Sequence, residues 1–591
     1  MNHLRLAIAF AGVSLAVGHA QFAQAAPAKS PFAISIEPIG TYATGIFDRS
    51  SAEIVAHDPK TQRLFVVNAE TGRIDVLSIL APDAPTLLFS VDIGAVFPNG
   101  QGIVNSVAVY KGLVAAAVEA APKTDPGRVV FFDAASPDGL VFLADVEVGA
   151  LPDAVTFTPD GKRVLVANEG EPNDDYTIDP EGSVSIIELP SDITQLTQAH
   201  VRTATFTKFN DAELDPDIRI FGPPAAVAEG ELPTRTVAQN LEPEWISVAK
   251  DSKTAWVVLQ EANAIAVLDI EAGEFTALRA LGFKDHLLPG NELDVTDRPA
   301  NPPLAERPGL INITNWPVLG MYMPDIIANY QYRGRTYIVS ANEGDSRDWE
   351  GDPGYSEVSR FRALSGDIPV CADAERFNAF YASNEMGIAN LAQLRDNNNM
   401  GRLNVTKENG LRLTEDGTPD CYEDIYAFGA RSFSIWNEDL ELVWDSGSEF
   451  ERITAAINPP EFFNSNHREN SFKTRSDDKG PEPEGVVVAK LWGRDYAFIG
   501  LERIGGVMIY EISNPYAPQF VQYLNNRDFN STPGTPEAGD LGAEGLIVIE
   551  ASKSPIPGVP LLVVGNEVSG TTTIFRINRE RLVGNPPAGR R

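Results

Sequence analysis

A β-rich run that ends on glutamate recurs along this chain and limits the folds it can adopt. "RVLVANE" ends at Glu169 and "TYIVSANE" at Glu343, and after both the chain continues through Gly into a cluster of carboxylates. Seven such runs end on the same residue type, at Glu70, Glu119, Glu169, Glu261, Glu343, Glu502 and Glu567. Internal similarity of this kind is the signature of a repeat architecture.

Each of these runs lies between two further β-rich runs. The preceding run begins at an acid or an amide: Glu53, Asn105, Asp153, Glu244, Asp325, Glu484 and Glu544. The following run is apolar and β-branched, as in "SVSIIEL" and "GVMIYEI", and most units add a fourth. The seventh unit lacks a fourth run, and the N-terminal "FAISIEPIGTY" can supply it. The pattern predicts an all-β fold, a seven-bladed β-propeller closed by an N-terminal strand.

Antiparallel strands place the repeated acids on one face. The first strand of a blade crosses from one face to the other and the second strand returns, so the start of the first and the end of the second lie together. We therefore expect the thirteen acids and Asn105 to surround a central funnel. Singly, each acid can be a turn cap that accepts backbone amide bonds. Together they repel one another unless a cation compensates.

Long segments interrupt the units at 190–240, 271–322, 345–429, 438–481 and 513–541. By the same geometry we expect these insertions on the acidic face, and long loops on a rigid face commonly carry function. Cys371 and Cys421, the only cysteines, both fall in the longest insertion. In an oxidising compartment each has only the other as partner. We predict a disulfide that braces residues 345–429 as a cap.

The N-terminal 25 residues have the pattern of a secretory signal peptide. Arg5 precedes an apolar run from Leu6 to Val17, and Ala23-Gln24-Ala25 offers a cleavage site. Residues 26–591 then form the mature domain, and we expect a periplasmic or secreted bacterial protein without a transmembrane segment. The formal charge of −35 argues against nucleic acid as a partner and favours cations.

Three acid-rich stretches supply candidate metal ligands, because carboxylate oxygens suit calcium and, as a second choice, magnesium. The candidates are Glu169, Glu171, Asp174, Asp175, Glu343, Asp345, Asp348, Asp477, Asp478, Glu482 and Glu484. Their spacing is not that of an EF-hand loop. The alternative interpretation is that they belong to solvated acidic loops.

Three cations alternate with these acids and are candidates for binding a substrate or an oxyanion: Arg347, Arg475 and Lys479. Metal-bound carboxylates with Arg or Lys beside them could hold a phosphate group. The sequence contains no Walker loop, no HExxH and no GxSxG, so no catalytic residue is assigned. Among the histidines of the mature chain, only His467, in "NSNHRENSF", is a functional candidate.

Five separated motifs resemble one known family over nearly the whole mature chain. "KTDPGRVVFFD", "ANEGEPNDDY", "ANEGDSRDW", "SDDKGPEPEG" and "VVGNEVSGTTTIFRI" are similar to the bacterial choice-of-anchor I domain, which is related to mesenchyme-specific cell surface glycoproteins. The resemblance implies an exported, propeller-like domain, and some relatives are labelled alkaline phosphatase. The family usually has a variable C-terminal anchor, and the C-terminal "RLVGNPPAGRR" departs from that pattern.

Three functional hypotheses follow. The first is an exported binding protein of the cell envelope or extracellular space that holds divalent cations, calcium above all, on the face with the insertions. The second is a metal-dependent, alkaline phosphatase-like phosphoesterase that acts on a phosphate ester. The third is a metal-independent scaffold for an envelope protein or a glycan, with contacts from aromatic residues of the insertions: Trp316, Trp349, Tyr355, Phe462 and Phe463.

Overall fold

The computed structural model describes residues 32–581, except 95–96, 98–101, 137–138, 223–235, 301–302, 304–305, 307–309, 350, 352–353 and 365–367. The predicted signal peptide lies outside the described residues. Residues 35–578 form one compact unit, and the described residues 32–34 and 579–581 fall outside it. Among the described residues, no helix has the length and apolar character that crossing a membrane requires.

The chain is all-β, as the repeats predict, and its main elements are four-stranded antiparallel sheets. The described residues contain seven of them. Sheet 1 consists of β2 (Val55–Asp58), β3 (Arg63–Asn68), β4 (Arg73–Ser78) and β5 (Thr86–Asp92). Sheet 2 consists of β6 (Ile103–Tyr110), β7 (Leu113–Glu119), β8 (Pro126–Asp133) and β9 (Val141–Ala150). Sheet 3 consists of β10 (Pro152–Phe157), β11 (Arg163–Asn168), β12 (Ser183–Glu188) and β13 (Val201–Thr205).

Sheets 4 to 6 follow in chain order, and only sheet 5 is interrupted between its second and third strands. Sheet 4 consists of β14 (Pro243–Val248), β15 (Thr254–Leu259), β16 (Ala264–Asp269) and β17 (Glu274–Ala280). Sheet 5 consists of β20 (Ile327–Tyr332), β21 (Arg335–Asn342), β29 (Ser432–Asn437) and β30 (Leu442–Asp445). Sheet 6 consists of β31 (Pro483–Leu491), β32 (Arg494–Leu501), β33 (Val507–Glu511) and β34 (Gln519–Leu524).

Sheet 7 combines strands from the two ends of the described chain. It contains β35 (Ala543–Ile549), β36 (Leu561–Asn566) and β37 (Thr571–Arg581), and its outermost strand is β1 (Phe32–Ala43), which lies beside β37. The hydroxyls of Thr41 and Thr573 are 3.0 Å apart across this pair. The N-terminal strand therefore occupies the outer position that the seventh repeat leaves open.

The hydrophobic core lies between neighbouring sheets. Second and third strands are buried at most positions, on both sides of the sheet, and some second strands are apolar almost throughout, as in β11 and β15. One core cluster joins sheets 3 and 4 through Leu165 and Val257, and another joins sheets 5 and 6 through Phe433 and Tyr510. β-Branched and aromatic residues suit such doubly buried strands, which explains why the repeats were visible in the sequence.

Small ladders and helices occupy the insertions. The ladders are β18 (Phe283–Asp285), β19 (Leu319–Met321) and β28 (Tyr426–Ala427); β22 (Asp348–Trp349) and β23 (Tyr355–Ser356); β24 (Val358–Arg360) and β25 (Asn404–Thr406); and β26 (Leu411–Leu413) and β27 (Pro419–Tyr422). The α-helices are α1 (Val237–Asn240), α2 (Glu375–Ser383), α3 (Leu391–Leu394) and α4 (Glu449–Ile457).

The inserted segments are shorter than the sequence indicated. β13, β17, β30 and β34 lie inside the predicted insertions, so the connections begin after these outer strands. β13 reads "VRTAT" and exposes polar side chains, which is why the apolar pattern did not reveal it. The insertion at 345–429 does separate β21 from β29, as predicted.

The longest insertion has a hydrophobic core of its own. Phe361, Phe377 and Phe380 pack there with Trp316, which comes from the preceding insertion. The predicted disulfide between Cys371 and Cys421 is formed, and both cysteines belong to this core. The two insertions are therefore joined by apolar packing as well as by the covalent bond.

Removing the disulfide should loosen the insertion and leave the sheets intact. In Cys371→Ser/Cys421→Ser, the unfolded chain regains the freedom of a loop of about 50 residues, which costs several kcal/mol of local stability in the chain-entropy model. We expect a nearly unchanged β-type circular dichroism spectrum and new proteolytic cuts between 350 and 429. Intact wild type under non-reducing conditions is the control. Global loss of β signal in the variant would instead show that the insertion is required for the sheets.

Candidate functional site

A repeated irregularity turns one acid away from regular pairing in four of the first strands. The ladder between first and second strands is interrupted by a bulge at Pro152/Val155, Pro243/Ile246, Pro483/Val486 and Ala543/Leu546. Asp153, Glu244, Glu484 and Glu544 lie within these bulges. A bulge places two residues opposite one and redirects a side chain. It thus turns a carboxylate from the sheet face toward the end of the strand.

The Ala-Asn-Glu-Gly motif explains the second set of acids. Asn342 ends β21, is fully buried, and donates from Nδ2 to Ser432 Oγ at 3.2 Å and to Ser434 Oγ at 2.8 Å on the third strand. Asn168 makes the corresponding bonds to Ser183 and Ser185. Gly344 then takes a φ of 90°, and a Cβ there would lie 2.2 Å from Gly429 N. The motif therefore ends the strand and leaves its Glu at the edge.

These two sets of acids meet in one cavity of about 480 Å³, which we call the acidic cavity. Ten of the thirteen repeated acids line it: Asp153, Glu169, Glu244, Glu261, Asp325, Glu343, Glu484, Glu502, Glu544 and Glu567. Asp48, Glu171 and Asp345 also line it, together with four cations, Arg49, Arg468, Lys479 and Arg503, and with Ser50, Gln260 and His467. Carboxylates thus outnumber Lys and Arg more than threefold in its wall.

The structure brings together five of the eleven acids predicted as metal ligands. Glu169, Glu171, Glu343, Asp345 and Glu484 line the acidic cavity. Asp174, Asp175 and Asp348 do not line it; Asp174 and Asp348 are exposed, and Asp175 accepts hydrogen bonds from Thr177 of its own turn. Asp345 is the only described residue of the 345–429 insertion in the wall.

The other three predicted ligands are engaged by arginines. Asp477 Oδ2 lies 2.7 Å from Arg360 Nη1 and 3.1 Å from Arg402 Nη2, both on the longest insertion. Asp478 and Glu482 accept from Arg475 at 2.8 Å and 2.7 Å. Burial alone would raise the pKa of Glu482, but Arg475, Arg503 and Lys479 hold it well below its usual value. These acids fix the insertion and the loop at 475–485 in place.

The three cations predicted to bind an oxyanion differ in their surroundings. Arg347 is 1% exposed, pairs with Glu242 at 2.8 Å, and donates to Asn240 and to the carbonyl of Phe221, so it fastens the 206–242 connection. Arg475 is occupied by Asp478 and Glu482. Lys479 does reach the acidic cavity, where its Nζ lies 2.6 Å from Glu343 Oε1.

Arg503 is a cavity residue that the sequence interpretation missed. It follows Glu502 directly, so the strand-end pattern could have identified it. Its Nε lies 3.0 Å from both Glu482 Oε2 and Glu502 Oε2, and its Nη1 donates to His467 Nε2 at 2.7 Å. Burial and the charge on Arg503 lower the pKa of His467 to about 2. His467 is therefore neutral at physiological pH.

The carboxylates that lack cationic partners resist ionisation. Burial, and then repulsion by Glu261 and Glu169, raise the pKa of Glu244 well above its usual value. Burial and then Glu242 raise the pKa of Glu261 to about 7, and burial with Glu119 raises the pKa of Asp153 to about 7. Glu484 and Glu544 shift in the same direction, and burial is the largest cause in each. The cavity consequently retains protons near neutral pH.

Several buried carboxylate oxygens in this wall have no hydrogen-bond donor. Among the described residues, Oε2 of Glu244, Glu261, Glu484 and Glu544 is buried and accepts no hydrogen bond. Glu244 and Glu261 are each only 8% exposed. Leaving a buried acceptor unpaired costs about 1–3 kcal/mol. Four such unpaired acceptors lie around one cavity.

Three groups of side chains bring possible ligand atoms within 4.8 Å of one another in the described chain: Asp325, Glu343 and Glu484; His467, Glu502 and Glu567; and Glu343, Glu482 and Glu502. The third group is already neutralised by Lys479, Arg475 and Arg503. In the second, both nitrogens of His467 are engaged by Arg503 and Glu502. The first group contains carboxylate oxygens alone and has Lys479 as its nearby cation.

The aromatic residues proposed as partner contacts are partly inaccessible. Trp316 and Phe463 are 0% and 1% exposed, because both pack inside the insertions. Trp349 donates from Nε1 to Glu171 Oε1 at 3.0 Å and packs against Tyr176 and Tyr355. Trp316, Trp349 and Phe463 therefore pack within the loops.

Sequence comparisons identify both a family and individual relatives. The model of the choice-of-anchor I domain matches residues 53–515. Gigasin-3a from Magallana gigas is 32% identical over 190 residues, which are 30% of this chain and 64% of that protein. The mesenchyme-specific cell surface glycoprotein of Strongylocentrotus purpuratus is 24% identical over 310 residues, 48% of this chain and 36% of that protein. The chain therefore spans less than two thirds of either relative.

Among solved structures, Kuenenia stuttgartiensis hydrazine synthase aligns with a TM-score of 0.41 and 11% identity, over 90% of this chain and 99% of that one.

Proposed function

We propose that this chain, which belongs to the choice-of-anchor I domain family, is an extracellular or cell-surface binding protein that holds divalent cations, calcium above all, in its acidic cavity. The related cell surface glycoprotein and the disulfide are consistent with that location. The unpaired carboxylate oxygens of the cavity are the observation that carries the cation assignment.

We further propose that the seven sheets are the blades of a closed β-propeller. The first strands contact one another in chain order, from β2 through β6, β10, β14, β20 and β31 to β35, and β35 contacts β2. The position of β1 beside β37 supports closure between the two ends of the chain. Such a ring places the acids at the starts of six first strands, and Asn105 at the seventh, around a common axis, which supports a single central cation site.

The chemistry of the wall favours calcium. Calcium takes six to eight oxygen ligands in flexible arrangements, whereas magnesium demands a small octahedron and retains several waters. Asp325, Glu343 and Glu484 offer oxygens close enough to share one ion, and the unpaired Oε2 atoms of Glu244, Glu261 and Glu544 provide further oxygen acceptors in the same cavity. A divalent ion would relieve the repulsion that raises the pKa values of these groups.

Calorimetric titration with calcium, after removal of cations by a chelator, tests the proposal. We expect saturable binding at pH 8 that is at least about tenfold weaker at pH 5.5, since protons compete for carboxyls whose pKa values are raised. At about 100 times the Kd, one bound ion adds about 2.7 kcal/mol to the free energy of unfolding. The melting temperature should rise by about 2–3 °C.

Calcium binding should strengthen as pH rises, whereas the stability of the cation-free protein should fall. Unfolded carboxyls ionise near pH 4, whereas Glu261 and Asp153 in the folded state keep their protons to about pH 7. The folded state therefore binds more protons between these values, and stability in chelator falls as pH rises through that window. Absence of both heat and thermal stabilisation at millimolar calcium would refute the proposal. Hydrolysis of p-nitrophenyl phosphate that EDTA abolishes would move the assignment to a phosphoesterase.

A further inference from the structure

A second cavity lies at the other end of the first strands, and we call it the apolar cavity. Its volume is about 540 Å³. Its wall contains residues of the first strands of six sheets and Ile326, which directly precedes the first strand of sheet 5; most of them are apolar, such as Ala56, Val107, Val155, Ile246 and Leu546. Ligand pockets typically enclose about 300–1,000 Å³ and are lined mainly by apolar groups. This cavity meets both criteria.

One layer of residues separates the two cavities. Glu244 lines the acidic cavity, and the next residue, Trp245, lines the apolar one. The same step from acid to apolar residue occurs from Asp153 to Ala154 and from Asp325 to Ile326. Trp245 is half-buried and packs against core clusters of sheets 3 to 6. Its indole is the largest side chain in the wall, and its position directly after Glu244 places it beside the layer between the two cavities.

The mouth of the apolar cavity carries the opposite charge from the rest of the molecule. The turns from first to second strands, with the residues that flank them, are 57–63, 109–113, 156–163, 247–254, 331–335, 490–494 and 548–561. They contain twelve Lys or Arg but four Asp or Glu, whereas the whole chain has 47 and 82. A cationic ring around an apolar cavity attracts an anion with an apolar body.

Two of these lysines belong to the cavity wall. Lys111 lies with its Nζ 4.8 Å from the ring centroid of Tyr110, and it makes no ion pair with any described carboxylate within 4 Å. Lys553 also lines the wall, and its Nζ is 3.2 Å from Glu550 Oε1 in an exposed pair. Exposed pairs of this kind are weak. An incoming anionic group could therefore recruit both ammonium groups.

We propose that the apolar cavity binds a monomeric anionic amphiphile of fatty-acid type. Its apolar tail lies along the first strands toward Trp245, and its carboxylate lies at the mouth with Lys111 and Lys553. The site is separate from the acidic cavity and does not depend on cation binding there. The charge of the mouth selects against cationic amphiphiles.

Calorimetric titration of the full chain with octanoate, decanoate and dodecanoate, each below its micelle concentration, tests the site. We expect one molecule bound per chain, with affinity rising about threefold for each added methylene. Dodecyltrimethylammonium, which has the same tail and the opposite charge, should bind at least about tenfold more weakly than dodecanoate. Equal binding of the two amphiphiles would overturn the proposal.

Variants separate the wall from the rest of the cationic ring. Lys111→Glu/Lys553→Glu should weaken dodecanoate binding at least about tenfold, because both ammonium groups that face the ligand's carboxylate are replaced by negative charges. Lys162→Glu/Lys490→Glu, in the same ring but outside the wall, should change it less than about threefold. Ala108→Phe, which fills the cavity, should abolish binding. Calcium titration of each variant reports whether it is folded.

Two further outcomes would contradict the proposal. If Ala108→Phe binds calcium normally and still binds dodecanoate, the amphiphile lies elsewhere. If monomeric dodecanoate gives no saturation while anionic vesicles retain the protein, the cationic ring is a membrane-docking surface and the cavity is not a ligand site.

Discussion

Replacing the three carboxylates Asp325, Glu343 and Glu484 by Asn, Gln and Gln is expected to lower calcium affinity at least about 100-fold. Each change removes one charged oxygen ligand from the group whose atoms lie within 4.8 Å of one another. Loss of about 1.4 kcal/mol per ligand is a tenfold change in Kd. Calorimetric titration at pH 8 measures the effect directly.

A matched variant uses acids that the sequence also nominated. Asp174→Asn/Asp175→Asn/Asp348→Asn removes the same number of charges from residues outside the acidic cavity, and its calcium affinity should stay within about threefold of wild type. In chelator, the cavity variant should be more stable than wild type, since amides relieve the repulsion between buried carboxylates. Calcium binding of wild-type strength in the cavity variant would place the ion elsewhere.

The largest stability effect is expected at Arg347. Arg347 and Glu242 are each 1% exposed and pair at 2.8 Å, so Arg347→Met leaves a buried carboxylate without its cation. Breaking a buried pair in this way costs about 3–5 kcal/mol. The free energy of unfolding from urea titration should fall by that amount, and the 206–242 connection should become the first site of proteolysis.

Two further variants identify the cause. Arg347→Met/Glu242→Met removes both charges and should recover most of the lost stability. Arg412→Met removes an arginine that is 33% exposed and pairs with Asp373, which is 73% exposed, so its cost should stay below about 1 kcal/mol. If Arg347→Met and Arg412→Met lowered the free energy of unfolding equally, the buried pair would stabilise the protein no more than the exposed one.

The positions of the repeated acids could be predicted because antiparallel geometry alone assigns strand ends to faces. Glu244 lies on the first strand of sheet 4 and Glu261 follows the second strand, yet both lie at the same edge of that sheet and line one cavity. The bulges that redirect Asp153 and Glu484 were not visible, although proline precedes each of these acids. The sequence therefore predicts the face well and the direction of each side chain poorly.

Which acids are already paired could not be predicted, because their partners come from distant insertions. Lys479 pairs with Glu343, 136 residues earlier, and Arg360 pairs with Asp477, 117 residues later. Local composition treats Asp477 and Glu484 alike, since both lie in one acid-rich stretch. Only the fold shows that arginines engage Asp477, while Glu484 faces the cavity.

The place of β1 in sheet 7 has a consequence for biosynthesis. β1, the first strand of the described residues, pairs with β37, the last, and the Ile36 amide N–H donates a hydrogen bond to Gln522 Oε1 at 2.9 Å across 486 residues. Contacts of such sequence separation form slowly. Until β37 has been synthesised, β1 lacks this partner and the growing sheets present an open edge, which is prone to pairing with other chains. Correct assembly therefore depends on keeping that edge away from other chains until β1 and β37 have paired.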